Sequence, residues 1–275
     1  MPELKIEHYE RDEEGLINDV LMVNQQWVFR FAKSEAYAKL LRNEIKILNL
    51  IRPYLDVHIP DTAYEDTDYM VYPFLEGQPL SRQSLIRIDK ETQRKIAEQL
   101  GSFLYQLHGL GKKREDWDLP LTRAPVKRAR WLEIQFKVKE QLYPLFQQYQ
   151  REWVEDLFSS VLDDPAASDY SLAFIHGDLA SYHILLDGQE KKIKAVIDFG
   201  MAGLGDPASD FGNLIQIYGE TFVSLMQNQY PGLGSFLPRA RFYAQLLELE
   251  WVLNGFESGE TFWFTAHLGG ARDIY

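Results

Sequence analysis

The sequence predicts an α+β chain, with β-structure concentrated before about residue 75 and helix dominating after it. Three observations carry this reading. Residues 4–31 and 68–75 hold runs of Val, Ile, Phe, Tyr and Trp separated by turn residues. From Ser34 onward, long segments space their apolar residues three and four apart. Residues 172–200 then return to short apolar runs, each followed by a loop that bears an aspartate.

Composition bounds the classes of function. At 275 residues the chain fits one large domain or two lobes, and 45% hydrophobic residues are enough to bury a full core. No run of ~18 uninterrupted apolar residues proposes a membrane span, so no membrane partner is expected. The start, Met1-Pro2-Glu3-Leu4-Lys5, lacks the layout of a signal peptide. Cysteine is absent, which excludes disulfides and thiolate metal sites and agrees with a cytoplasmic location. The net charge of −12 argues against a broad nucleic-acid-binding surface. It would favour a cationic substrate, or serve solubility alone.

Taken in order, Val20–Val23 and Trp27–Phe31 flank Asn24-Gln25-Gln26 as a hairpin. Ser34 offers an N-cap for a helix through Ile51, with Tyr37, Leu40, Leu41, Ile45 and Leu48 on one face and Glu44 in its middle. An apolar strand at 68–75 runs into a Gly-Gln-Pro turn. A helix is predicted over 89–108, buried through Ile96, Leu100, Phe103, Leu104 and Leu107, with His108 as its cap or a packing residue. Residues 111–127 read as a connecting loop. Helices follow over about 128–143 and 150–162, Pro144 ending the first. Beyond Asp206-Pro207-Ala208-Ser209-Asp210, where an Asp cap and Pro207 open another helix, the chain reads as helical to Tyr275.

The chemistry concentrates in residues 174–200. His176-Gly177-Asp178 closes one apolar run, Ile184–Leu186 and the turn Asp187-Gly188 follow, and residues 193–197 lead into Asp198-Phe199-Gly200. A hairpin-like unit thus separates two loop carboxylates and can fold them to one point. Phosphoryl transfer requires one carboxylate to orient a hydroxyl and one to hold Mg²⁺.

This order, with Gly between His and Asp, resembles the aminoglycoside phosphotransferase and choline kinase branch of the small-molecule kinases. The resemblance implies a two-lobed protein-kinase-like fold, with a nucleotide-binding lobe over 1–75 and a helical lobe over 76–275. It implies Asp178 as the catalytic carboxylate, Asp198 as metal ligand, and Mg²⁺ with ATP or GTP as phosphoryl donor. Glu44 would pair with the strand cation that grips the phosphates; as a bare helical residue it is a solvated charge. The family's lysine falls at Arg30, and Lys33 is the alternative cation. Residues 12–19 stand where the phosphate-covering loop belongs. Tyr72 takes the place at the back of the purine pocket, where a bulky aromatic accompanies GTP use in some aminoglycoside kinases. Phe74 and Leu75 form the hinge beside the purine, Phe74 otherwise being a core residue. His176 and Asp210 would support the catalytic loop.

His183 stands where the kinase pattern has Asn as second metal ligand. Mg²⁺ prefers oxygen, so a direct bond, a bridging water or a phosphate contact are all open to it. The same Asp-x-x-x-x-His form is similar to that of 2″-aminoglycoside and macrolide phosphotransferases. An aminoglycoside is the first acceptor implied, a small and cationic molecule that Glu248, Glu250, Glu257, Glu260 and Asp206 would face; the acids are otherwise a solvated surface. A macrolide or another metabolite hydroxyl is the second. A nucleotide-binding pseudokinase with a regulatory role is the alternative from another class, supported by Arg30 and His183 in place of Lys and Asn.

Overall fold

The computed structural model describes residues 4–12, 17–113 and 117–259. The first part of the chain forms a five-stranded antiparallel sheet in the order β1-β2-β3-β5-β4. Its strands are β1 (Tyr9–Asp12), β2 (Asn18–Val23), β3 (Trp27–Ala32), β4 (Tyr64–Glu65) and β5 (Tyr69–Pro73). The β2–β3 turn places Asn24 and Gln25 at φ 54° and 53°. Gln26 N–H closes it on the Val23 carbonyl at 3.0 Å. Two left-handed residues match the twist of paired strands, so the register Val23↔Trp27 is fixed locally. Strand alternation then turns Val28 and Arg30 inward and leaves Phe31 exposed.

Helix α1 (Glu35–Ile51) covers the inward face. The Ser34 hydroxyl accepts the Tyr37 N–H as its N-cap, and Ala38, Leu41, Ile45, Leu48 and Ile51 make its buried stripe. Glu44 lies on that same face, 2% exposed, so it is a buried group and not a solvated helix charge.

After β5 the chain crosses to β6 (Gln78–Pro79), which pairs with β8 (Ile184–Leu186) and through it with β9 (Ile193–Val196). A two-stranded sheet joins β7 (Ala173–Ile175) to β10 (Gly203–Gly205). Around these lie α2 (Arg82–Ile86), α3 (Lys90–Lys113), α4 (Arg128–Lys137), α5 (Gln148–Leu162), α6 (Ala208–Tyr218), α7 (Glu220–Ser224) and α8 (Leu233–Ser258). Helix α3 runs past His108 instead of ending there. The segment expected as helix to 143 is α-helical only to Lys137, then widens through Val138–Leu142 and tightens over Tyr143–Leu145 around Pro144. Trp131, Phe158, Phe242 and Tyr243, all buried, tie α4 and α5 onto α8. Among the described residues no helix is long and apolar enough to cross a membrane.

Candidate active site

The loop after β7 is held by groups from three distant places. Asp210, in the first turn of α6 and fully buried, accepts the His176 N–H on Oδ2 at 2.9 Å and the Gly177 N–H on Oδ1 at 2.8 Å. His108 Nε2 reaches the same Oδ2 at 3.0 Å, and its Nδ1 meets the Tyr230 hydroxyl at 2.9 Å. His108 is therefore neither cap nor filler but a link in a buried network. Burial works to raise the Asp210 carboxyl, yet the hydrogen bond and charge of His108, with His176 and the Gly177 N–H, hold it below the usual range.

The His176 ring is fixed as one tautomer. Its Nε2–H donates to the Ile197 carbonyl at 3.1 Å, and Nδ1 accepts the Asp178 N–H at 3.3 Å. Burial pushes the imidazole down to about 4, so it is neutral and structural near pH 7. Gly177 has φ +80°, and a Cβ there would lie 2.9 Å from both the Met201 carbonyl and the Thr122 hydroxyl. The glycine between His and Asp is thus required twice, by its backbone angle and by its neighbours.

Asp178 and Asp198 meet around His183. Its Nδ1 lies 2.8 Å from the Asp178 carbonyl oxygen, so Nδ1 carries the proton. In the neutral ring Nε2 is then a lone pair, and it faces Asp198 Oδ2 at 3.6 Å. Asp178 Oδ2 stands 4.0 Å from Nδ1. Two electron-pair donors directed at one another suit a shared cation or a proton. Asp198 itself has φ 64°, a left-handed conformation that Asp tolerates better than most residues.

The two carboxylates are pushed in opposite directions. The surrounding groups desolvate Asp178 and raise it, with the Asp198 and Asp210 charges adding to the effect against the pull of His183, although 42% of its side chain remains exposed. Burial also acts on Asp198, but Arg30, His183, His176 and the Gly200 N–H outweigh it and lower the carboxyl. Environments that split paired carboxylates in this way assign one as proton acceptor and the other as permanent anion.

Arg30 joins the sheet to this centre. Its Nη1 lies 2.7 Å from Glu44 Oε1 and its Nη2 3.5 Å from Asp198 Oδ1. Phe199 N–H donates to the same Glu44 oxygen at 3.2 Å. Burial disfavours the Arg30 charge, and Glu44 and Asp198 more than restore it. Burial likewise raises Glu44 against the pull of Arg30; the short contact and the second donor are those of an ionised carboxylate, and we read an ion pair. Tyr72, opposite Val28 in the register, is buried beside them, and burial raises its hydroxyl to about 12.

Several expected positions fall elsewhere. Lys33 follows β3 with the parity of Phe29 and Phe31, and its ammonium sits 3.5 Å from Asp19, away from the cavity. The Phe74 N–H is committed to the Gln26 carbonyl at 2.8 Å, so it is not a donor to a purine edge. Neither Phe74 nor Leu75 lines the cavity. Residues 13–16 of the proposed phosphate-covering loop, and Glu260, lie outside the described residues. Asp206 is fully buried and bound by Arg239 Nε at 2.7 Å and the Tyr243 hydroxyl at 3.1 Å, a structural role that leaves nothing for an acceptor. Glu248 is buried against Gln216 at 2.7 Å, and Glu257 pairs with Lys137 at 2.9 Å. Glu250 is different. Burial raises it to about 7 against the pull of Arg130, whose Nη2 lies 3.7 Å from it, and the charge of Asp178 adds to the rise.

A cavity of about 470 Å³ opens where these groups converge, lined by Arg30, Glu44, Asp178, His183 and Asp198. Asn18 also lines it, with a buried side-chain oxygen that has no hydrogen-bond partner among the described residues. Arg123, Tyr182 and Trp251 also line it. Sequence reasoning passed over all three, and Arg123 lies in what read as a connecting loop. Among the described residues no cluster of three His, Asp or Glu side chains is built to hold a metal alone. That fits Mg²⁺, which takes one or two carboxylates and completes its shell with phosphate and water.

Comparison with known proteins agrees with this geometry. A model of the phosphotransferase enzyme family (APH) matches residues 8–243. The viomycin phosphotransferase of Streptomyces vinaceus is 28% identical over 221 residues, spanning 76% of this chain and 74% of its own. The GDP and kanamycin complex of APH(2")-IIia superposes with a TM-score of 0.86 at 25% identity, over 98% of this chain and 93% of that one. The macrolide 2'-phosphotransferase MphH of Brachybacterium faecium, 20% identical, shares the fold with a TM-score of 0.68 over 97% and 93% of the two chains. With the antiparallel sheet, the helical part and the paired carboxylates in this arrangement, the chain belongs to the phosphotransferase enzyme family, as a small-molecule O-phosphotransferase of protein-kinase-like architecture.

Proposed function

We propose that the protein transfers the γ-phosphoryl group of ATP or GTP to a hydroxyl of a small cationic acceptor, an aminoglycoside first among them. The observation that carries this is the divided carboxylate pair, Asp178 raised and Asp198 lowered, on either side of His183 and beside the Arg30–Glu44 ion pair. The nucleotide would lie between the lobe over 1–75 and that over 76–275. Asp198 and His183 Nε2 would hold Mg²⁺, which supplies charge neutralisation at the phosphates when bound. Asp178 takes the acceptor's hydroxyl proton, and its raised pKa makes it the better base of the two. His176 and Asp210 keep the loop in place while the proton moves. The orphan Asn18 oxygen is an acceptor in want of a ligand donor. Tyr72 at the back of the site supports GTP as a donor to be compared with ATP.

A cationic acceptor is supported by Glu250, which among the described candidate glutamates is the one whose carboxyl is raised in part by the charge of Asp178, with Arg130 pulling the other way. Trp251 and Tyr182 in the wall favour a second reading, an acceptor with a large apolar body and one amine, such as a macrolide. A nucleoside-diphosphate release assay with ATP and GTP, across aminoglycosides, viomycin and macrolides, tests both. Release stimulated by one class and abolished by Asp178→Asn supports the reading. No release above the Asp178→Asn background with any acceptor counts against it.

A further inference from the structure

Arg123 occupies a loop whose position is determined with unusual completeness. Thr122 N–H donates to the Leu204 carbonyl at 3.0 Å, and Arg123 N–H to the Met201 carbonyl at 3.4 Å. The Thr122 hydroxyl donates to Met201 at 2.8 Å and accepts the Ala124 N–H at 3.1 Å. Leu204 N–H returns a bond to Pro120 at 2.8 Å. Close approach is possible because of glycine on the opposite side. A Cβ on Gly203 would lie 2.6 Å from Thr122 N, and one on Gly205 would lie 2.6 Å from the Thr122 methyl. With Gly177 touching the Thr122 hydroxyl, the loop is strapped across both the catalytic loop and the segment that follows Asp198.

What this strap presents to the cavity is a guanidinium. Arg123 lines the same space as Asp178, His183 and Asp198. Among the described residues its side chain has no ion pair or hydrogen bond, whereas Arg30 is engaged at both terminal nitrogens by Glu44 and Asp198. Lys33 is occupied by Asp19. A nucleoside triphosphate brings about four negative charges to a site that already contains Asp178, Asp198 and Glu44. Arg30 together with one Mg²⁺ does not balance them. An uncommitted, planar, permanently charged fork is the group that grips terminal phosphate oxygens in two places.

We infer that Arg123 is a catalytic residue that donates hydrogen bonds to the oxygens of the transferred γ-phosphoryl group. The inference rests on the phosphoryl-transfer reading above. In the step itself the acceptor oxygen forms its bond to the γ-phosphorus, and the bond from that phosphorus to the β,γ-bridging oxygen breaks. The hydroxyl proton passes to Asp178, the nucleoside diphosphate leaves, and Arg123 keeps its charge throughout. Its part is to hold the equatorial oxygens as negative charge spreads over them.

The test needs no knowledge of the acceptor. Fluorescently labelled diphosphates and β,γ-imido triphosphates of adenosine and guanosine are titrated, with Mg²⁺, into wild type, Arg123→Ala and Arg123→Lys. Arg123→Ala is expected to weaken the triphosphate analogue by about tenfold or more and leave the diphosphate within about twofold, with Arg123→Lys between them. Added guanidinium should restore part of the loss in Arg123→Ala, which a structural defect would not allow. Equal weakening of both nucleotides, or of neither, overturns the assignment while leaving the enzyme's function intact. Failure of the wild type to bind either nucleotide overturns the phosphoryl-transfer reading, and Arg123 with it.

Discussion

Asp210 is where the largest effect from the smallest change is expected. Asp210→Asn alters one atom of a fully buried group that accepts from Gly177 N–H, His176 N–H and His108 Nε2. An amide has one oxygen, so either orientation turns an NH₂ toward a donor that has no other partner. Turned toward Oδ1's place it loses the Gly177 bond; turned toward Oδ2's place it loses both histidine bonds. Each hydrogen bond to a charged group contributes about 1.5–3 kcal/mol, and breaking a buried ionic network costs about 3–5 kcal/mol. For a chain of this size that is a fall in melting temperature on the order of 10 °C. Thermal unfolding measures the first effect, and nucleoside-diphosphate release at a temperature where the variant is folded measures the second. Turnover should drop with acceptor KM little changed, because the loop that carries Asp178 is displaced. The His108→Phe variant should add little in the Asp210→Asn background, since the two share one oxygen. An unchanged melting temperature together with full turnover in Asp210→Asn would refute this account of the network.

Three further outcomes follow from the site. Gly177→Ala places a Cβ 2.9 Å from the Met201 carbonyl at φ +80°; the strain of order 1–3 kcal/mol should appear as lower stability in urea and greatly reduced turnover. His176 is neutral when folded and titrates at its ordinary 6.5 when unfolded, against about 4 in place. The unfolded chain therefore binds the extra proton between those values, and stability should fall as pH drops through that window, by about 3 kcal/mol in full; urea midpoints of wild type and His176→Asn at pH 7 and 5 would show the difference, and parallel pH dependences would speak against it. Glu250 is raised to about 7, so it attracts a cationic acceptor only once ionised. The acceptor KM should rise as pH falls from 8 to 6, and Glu250→Gln should raise it by about tenfold and remove that pH dependence.

Much of this was legible in the chain because it is local. The β2–β3 hairpin, the Ser34 cap and the aspartates at the ends of short apolar runs are each specified within a few residues. Arg30 could be told from Lys33 by strand parity, which puts Arg30 with buried Val28 and Lys33 with the outward Phe31. What stayed hidden depends on contacts across long separations. His108 finds Asp210 at a distance of 102 positions and Tyr230 at 122, so its neighbours in sequence describe only a helix. The strap at residues 120–124 has loop composition and acquires its role from Gly177, Gly203 and Gly205 in other segments. The C-terminal glutamates look alike in sequence, and only packing distinguishes Glu248, sealed against Gln216, from Glu250, buried beside Arg130.

The bond from Phe199 N–H to Glu44, together with the Arg30–Glu44 contact, bears on how far the site is preorganised. Withdrawing α1 from the sheet would strand a guanidinium that is 7% exposed and a carboxylate that is 2% exposed, at a cost of about 3–5 kcal/mol. The withdrawn state would be populated at about 1% or less. The Arg30–Glu44 pair and the Phe199 N–H bond therefore keep α1 docked on the sheet in nearly every molecule, so that the cation and Asp198 are held ready before any ligand arrives.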